Sequence, residues 1–191
     1  MDAHCAGTVA GMRILRERVL HVATIVIAVV LLPIAWAVGP GGGRRRACQW
    51  ALGLRFPRES LTGLAAGTRA AFTAARTEAF WRDGVLIGLT SGHRDAGEQH
   101  RLFAAEVRRT GSAAAARLRA LPPEESRHVA GTALDVRPVE GARWLEVNGG
   151  RYDLYRTYDN EWWHFEHHPG RAGLPPVRLP HPGAARTARH W

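Results

Sequence analysis

The chain has 191 residues, enough for one domain with some appendage, and its 23% charged and 46% apolar residues exclude wholesale disorder. The formal net charge is +9 and every basic residue is an arginine, which favours anionic partners. No aromatic-interleaved basic stripe or nucleic-acid-binding signature accompanies that charge, so nucleic acid is set aside as a partner.

A short N-terminal segment, 1–18, precedes an apolar run over 19–38, VLHVATIVIAVVLLPIAWAV, which has about the 20 residues needed to cross a bilayer core. The run holds no ionised side chain and has arginines on both sides, so charge alone does not settle its orientation. An uncleaved transmembrane anchor is the expectation, with a cleaved signal at Ala35-Trp36-Ala37 as the rival. Cys5 and Cys48 flank the run, and a membrane between them rules out their pairing.

Residues 39–53, glycine-rich and then arginine-rich, read as a flexible linker, and the folded domain is expected over 54–168. Apolar residues at helical spacing predict a helix over 63–82, and 85–90 reads as a short buried strand. A second helix is expected over 96–109, with Asp95 as its N-cap, Glu98 in the capping box and Gly111 as the stop. A third, alanine-rich helix is expected over 113–121, ended by Pro122-Pro123. A strand over 132–137, a short helix over 142–148 and a final strand over 162–166 complete the domain. Residues 169–191, rich in Pro, Gly and Arg without periodicity, read as an irregular or disordered tail. This order predicts an α+β domain with helices packed on a small antiparallel sheet, preceded by a transmembrane helix.

Three polar segments lie at the ends of these elements, where function concentrates: Ser91-Gly92-His93-Arg94, then SRHVAGTALD over 126–135, then Glu161-Trp162-Trp163-His164. In the second, Gly131 lets the chain turn back so that His128 and Asp135 can face one point. Catalytic zinc commonly takes three protein ligands of the His and Asp/Glu type, and His164 would complete such a set. Glu161 is the residue type needed to take a proton from water and return it to a leaving amine. Residues three apart on a regular strand face opposite ways, so a bend at Trp162-Trp163 is required for Glu161 and His164 to converge. Arg94 can hold a carboxylate in a two-pronged pair. His93, His167 and His168 have no such spacing and read as structural or exposed.

Together the three segments resemble the zinc D-alanyl-D-alanine carboxypeptidases and dipeptidases of the VanY and VanX type. The family's Ser-Gly-x-Arg segment with a following Gln stands here as SGHRDAGEQ, its Ser-x-His-x-x-Gly-x-Ala-x-Asp motif as SRHVAGTALD, and its Glu-x-Trp-His motif as EWWH. The resemblance implies zinc at His128, Asp135 and His164, Glu161 as general base and acid, Arg94 stabilising substrate or oxyanion, and Gln99 and Ser126 as substrate contacts. It implies peptidoglycan peptides ending in D-Ala-D-Ala as substrates and a catalytic domain outside the cytoplasmic membrane. Cleavage mode stays open between carboxypeptidase, dipeptidase and endopeptidase, with an inactive peptidoglycan-binding module as the non-enzymatic alternative. His93 and Asp95 depart from the family pattern beside Arg94, and an acid there could compete with a substrate carboxylate.

Overall fold

A computed structural model describes residues 2–39, 41–171 and 173–184. Among them the elements are α1 (Asp2–Ala37), α2 (Gly43–Arg55), α3 (Ala66–Asp83), β1 (Gly88–Ser91), α4 (Ala96–Thr110), α5 (Ala113–Ala116), β2 (Ala133–Arg137), α6 (Val139–Asn148), β3 (Leu154–Arg156) and β4 (His164–His167). The six helices pack on one antiparallel sheet of order β1-β2-β4-β3. The expected α+β class is therefore observed.

The core lies between the sheet, α3 and α6. Alternate inward residues of the strands, Leu89, Leu134, Val136 and Phe165, meet Phe72, Ala75 and Ala79 of α3 and Ala142 and Leu145 of α6. Helix α3 ends at Asp83, one residue beyond the predicted 82, and is capped by Gly84, whose φ of 64° is the left-handed conformation that glycine adopts without penalty. Sheet pairing at β1 begins only at Gly88, three residues later than the predicted strand start. Gly88 is opposite Arg137, and the next residue of the neighbouring strand is Pro138, which has no N–H to offer Leu86 or Ile87. Those two residues stay buried without ladder bonds to a partner strand.

Residues 43–55, inside or bordering the segment expected as a linker, form α2, and that expectation is corrected. The arginines mask an apolar stripe: Ala47 is fully buried, and Cys48, Ala51 and Leu52 are fully or almost fully buried against Ala28 of α1 and against Phe56, Phe80 and Leu86. A buried polar knot ties α2 to the domain. Arg76 of α3 donates to both Gln49 and Glu59, and the other oxygen of Glu59 accepts from the backbone N–H of Leu89 at 2.7 Å. Cys48 is a free, buried thiol, and burial pushes its pKa up to about 12, so it is held as an unreactive packing residue.

Helix α1 runs unbroken through Pro33, and its stretch from residue 11 to 37 is long and apolar enough to cross a membrane. One side, including Thr24, Ala28 and Ala35, is buried, while Val19, Val22, Val26, Val29 and Val30 are exposed. His21 reaches the Gly84 carbonyl at 2.8 Å.

Two other expectations change. The third helix stops at Ala116 instead of reaching 121, and residues 118–121 line the central cavity. The tail is not wholly irregular: Tyr158 bridges to Leu179 in parallel, Leu179 donates to Thr157, and its carbonyl accepts from Asp159. Residues 185–191, the rest of that predicted tail, lie outside the described residues. Strand β3 has only three residues and carries no periodicity by which sequence could reveal it.

Candidate active site

Three neighbouring strands bring their functional residues into one row. Asp135 of β2 stands opposite Ser91 of β1 on one side and opposite His164 of β4 on the other. His128 comes from the turn that feeds β2. That turn needs glycine at position 131, where φ is 69° and any Cβ would lie 2.7 Å from the Gly63 carbonyl oxygen. It is closed by Gly131 N–H to His128 O and Thr132 N–H to Arg127 O, and anchored to β1's end by Arg94 N–H to His128 O at 3.2 Å.

In this row His128 Nε2 lies 3.3 Å from Asp135 Oδ2, and His164 Nδ1 lies 3.0 Å from Asp135 Oδ1. One ligand atom from each residue falls within 4.8 Å of the other two. The remaining ring nitrogens are already engaged. His128 Nδ1 faces the Gly92 carbonyl oxygen at 2.7 Å, and His164 Nε2 faces Glu166 Oε1 at 3.3 Å. Each outer nitrogen can donate its hydrogen outward, leaving an inner lone pair aimed beside a carboxylate, the pattern in which histidines bind metal. The His, Asp, His donor set therefore fits a small divalent ion, with nitrogen and oxygen chemistry suited to zinc.

Glu161 sits at the start of a turn over Trp162 and Trp163, and His164 N–H donates back to Glu161 O at 3.3 Å. This is the bend that the spacing requires. It places Glu161 Oε2 at 3.8 Å from His164 Nδ1, with the carboxylate nearly buried. Trp163 lines the cavity, while Trp162 is 41% exposed.

Arg94 enters from the other side. Its guanidinium donates to Gln99 Oε1 at 2.7 Å and to Ser91 Oγ at 2.9 Å, both neutral acceptors, so its charge is fixed in place without being cancelled. Gln99 is 2% exposed and also donates to the Leu121 carbonyl at 2.6 Å, so both ends of its amide are spent inside the protein. Asp95 is occupied by capping α4, accepting from Glu98 N–H at 2.8 Å. Ser126 is buried and lines the same cavity, which has a volume of about 780 Å³ and is shared by Arg94, Gln99, His128, Asp135, Glu161 and His164.

A family profile described as VanY, D-alanyl-D-alanine carboxypeptidase, matches residues 64–170, more than half of the chain. The chain belongs to this family. No curated protein matches the sequence. Among solved structures, the fold is similar to a mutant of the vancomycin-resistance D,D-pentapeptidase VanY from a VanB-type resistance cassette, in complex with Zn(II). That likeness has a TM-score of 0.52 and 22% identity, covering 60% of this chain and 79% of the other. It is equally similar to VanYB in complex with D-alanine-D-alanine, with a TM-score of 0.52 and 21% identity over 58% and 74% of the two chains. At these identities the likeness is one of fold.

In this VanY-family chain the electrostatics of the row favour a bound cation. Burial alone would raise the Asp135 carboxyl, but hydrogen bonds from His128 and His164 hold it well below the usual carboxylate range. Burial alone would lower His164, yet Asp135 and Glu166 together raise it to about 10. Burial pushes Glu161 up, aided by the charge of Asp135 and opposed by His164, His128 and Arg119.

Sequence reasoning passed over Glu166, although the signal is present: it follows His164 by two in a strand, hence shares its face, and a carboxylate at a buried strand position calls for a partner. Only 3% exposed, Glu166 accepts from Tyr158 OH at 3.2 Å and lies 3.1 Å from His168 Nε2 and 3.7 Å from Arg127 Nε. His168, read from sequence as structural or exposed, thus buttresses the carboxylate behind His164.

Proposed function

We propose that the chain is a zinc-dependent D,D-carboxypeptidase that removes the last residue of peptidoglycan stem peptides ending in D-Ala-D-Ala. The observation that carries this reading is the convergence of His128 Nε2, Asp135 and His164 Nδ1, each histidine having its other nitrogen engaged by an oxygen. The family match and the Zn(II) and D-alanine-D-alanine complexes of the two similar structures support it.

In this reading His128, Asp135 and His164 hold the ion, which when bound acts as a Lewis acid and lowers the pKa of water at the site. Glu161 accepts the proton of the attacking water and returns it to the leaving D-alanine amine, a task for which a carboxyl raised by burial is suited. Arg94 neutralises developing negative charge or the terminal carboxylate, and Ser91 and Gln99 keep it aimed. Ser126 lines the wall where substrate polar groups would lie. Helix α1 anchors the enzyme, and the catalytic domain faces the wall side of the membrane, where its substrate lies.

The test is D-alanine release from an N-acylated peptide ending in D-Ala-D-Ala by the full chain in detergent, with chelator and with zinc restored. Chelator-sensitive release recovered by zinc is the expected result. Stoichiometric zinc binding without any D-alanine would remove the carboxypeptidase reading.

A further inference from the structure

Building on the carboxypeptidase reading, we propose that Arg119 is a specificity residue that binds a second carboxylate of the substrate, on a side chain upstream of the scissile bond.

Four arginines line the cavity: Arg94, Arg109, Arg119 and Arg127. Arg109 is neutralised by Glu106, to which its Nε donates at 2.9 Å, and Arg127 leans toward Glu166 at 3.7 Å. Arg94 is committed to Ser91 and Gln99. Arg119 is exposed at the cavity wall and makes no ion pair among the described residues. Its charge nevertheless reaches into the site, for it is among those acting on Glu161 and on Glu106.

The backbone under Arg119 is held firmly. Pro122 disfavours helix at Leu121, and the chain leaves the α-helix after Ala116 in a tighter turn, with Arg119 N–H bonded to Ala116 O at 3.0 Å. Arg117 pairs with Glu125 at 2.9 Å, Asn160 donates to Leu118 O at 3.1 Å, and Gln99 donates to Leu121 O at 2.6 Å. The residues around Arg119 are tied down while its guanidinium is left for a ligand. Because Gln99 also accepts from Arg94, one buried amide ties Arg94 to the backbone of the turn that carries Arg119. A held Arg94 guanidinium and a free Arg119 guanidinium, neither in an ion pair among the described residues, suit a dianionic peptide, one charge at its C-terminus and one on a preceding side chain.

The experiment compares two labelled peptides ending in D-Ala-D-Ala, identical except for glutamate or glutamine immediately upstream, with the full chain loaded with zinc. Binding is followed by fluorescence anisotropy and cleavage by D-alanine release. Wild type is expected to favour the acidic peptide by about tenfold at low salt, as for a hydrogen-bonded charge pair. Arg119→Ala should bring the acidic-to-neutral ratio toward one, and Arg119→Lys should restore part of it. Equal affinity of wild type for both peptides, or a preference that survives Arg119→Ala, overturns the inference. If the Arg119-dependent preference appears in binding while neither peptide is cleaved, the inference stands and the carboxypeptidase reading falls.

Discussion

The two sides of the cavity are built differently. On the sheet side, His128, Asp135, His164 and Glu166 satisfy one another: each ring nitrogen meets an oxygen, and each carboxylate meets a hydrogen-bond donor. On the helix side, Arg94 and Arg119 carry charges that form no ion pair with an acidic side chain among the described residues. The first side is arranged to hold a permanent cation, in which only the proton shared between histidine and aspartate must give way. The second side keeps its charges for a ligand that comes and goes. Glu161 lies between them, close to His164 yet within the electrostatic reach of Arg119.

The sharpest way to break this contrast is at Glu161. Glu161→Gln keeps the size of the side chain and leaves His128, Asp135 and His164 intact, so metal content should stay near one per chain. Turnover should fall by about 10²- to 10⁴-fold, the range for loss of a positioned proton acceptor. Metal analysis alongside D-alanine release checks both halves. Loss of metal would mean that Glu161 belongs to the holding side.

Glu166 tests the holding side itself. Glu166→Gln removes the charge behind His164 while keeping an oxygen acceptor, and zinc affinity should weaken by about 10- to 100-fold, as for carboxylates that orient metal-bound histidines. Competition against a chromophoric chelator measures this without reference to activity. An unchanged affinity would reduce Glu166 to a packing residue of β4.

How much of this was legible in the sequence follows from how far apart the cooperating residues lie. His128 and Asp135 share one short motif, and Glu161 and His164 share another, so local turn chemistry brings each pair together, and the bend at Trp162-Trp163 follows from strand period alone. Glu166 was legible in principle by the same period. Arg119 was not. Its place at the cavity depends on the early end of α5, and that end is set by Pro122, by Asn160, 42 residues beyond the Leu118 it bonds, and by Gln99 from α4. Helix α2 was hidden for another reason: its arginine run and the glycines before it dominate the composition, while the small or apolar residues it buries become a signal only once α1 and α3 are beside them.

The remaining effect concerns protons on the holding side. With His164 raised to about 10 by Asp135 and Glu166, the metal-free protein carries a proton there across the neutral range, and an incoming cation must displace it. Apparent zinc affinity should therefore rise with pH, by about tenfold per unit where one proton is released, and level off as the pH approaches the folded pKa of His164. The same shift bears on folding. A histidine whose folded pKa lies above its unfolded value stabilises the metal-free protein fully below about 6.5, and that contribution is lost as the pH climbs toward 10. Bound metal should remove this loss, since the ion replaces the proton between His164 and Asp135. Calorimetric titrations in buffers of different ionisation enthalpy count the protons released, and melting curves of metal-free and zinc-loaded protein from pH 6 to 9 separate the two contributions. Proton release near zero, with metal-free and loaded melting temperatures running parallel, would show that the holding side is already deprotonated before the ion arrives.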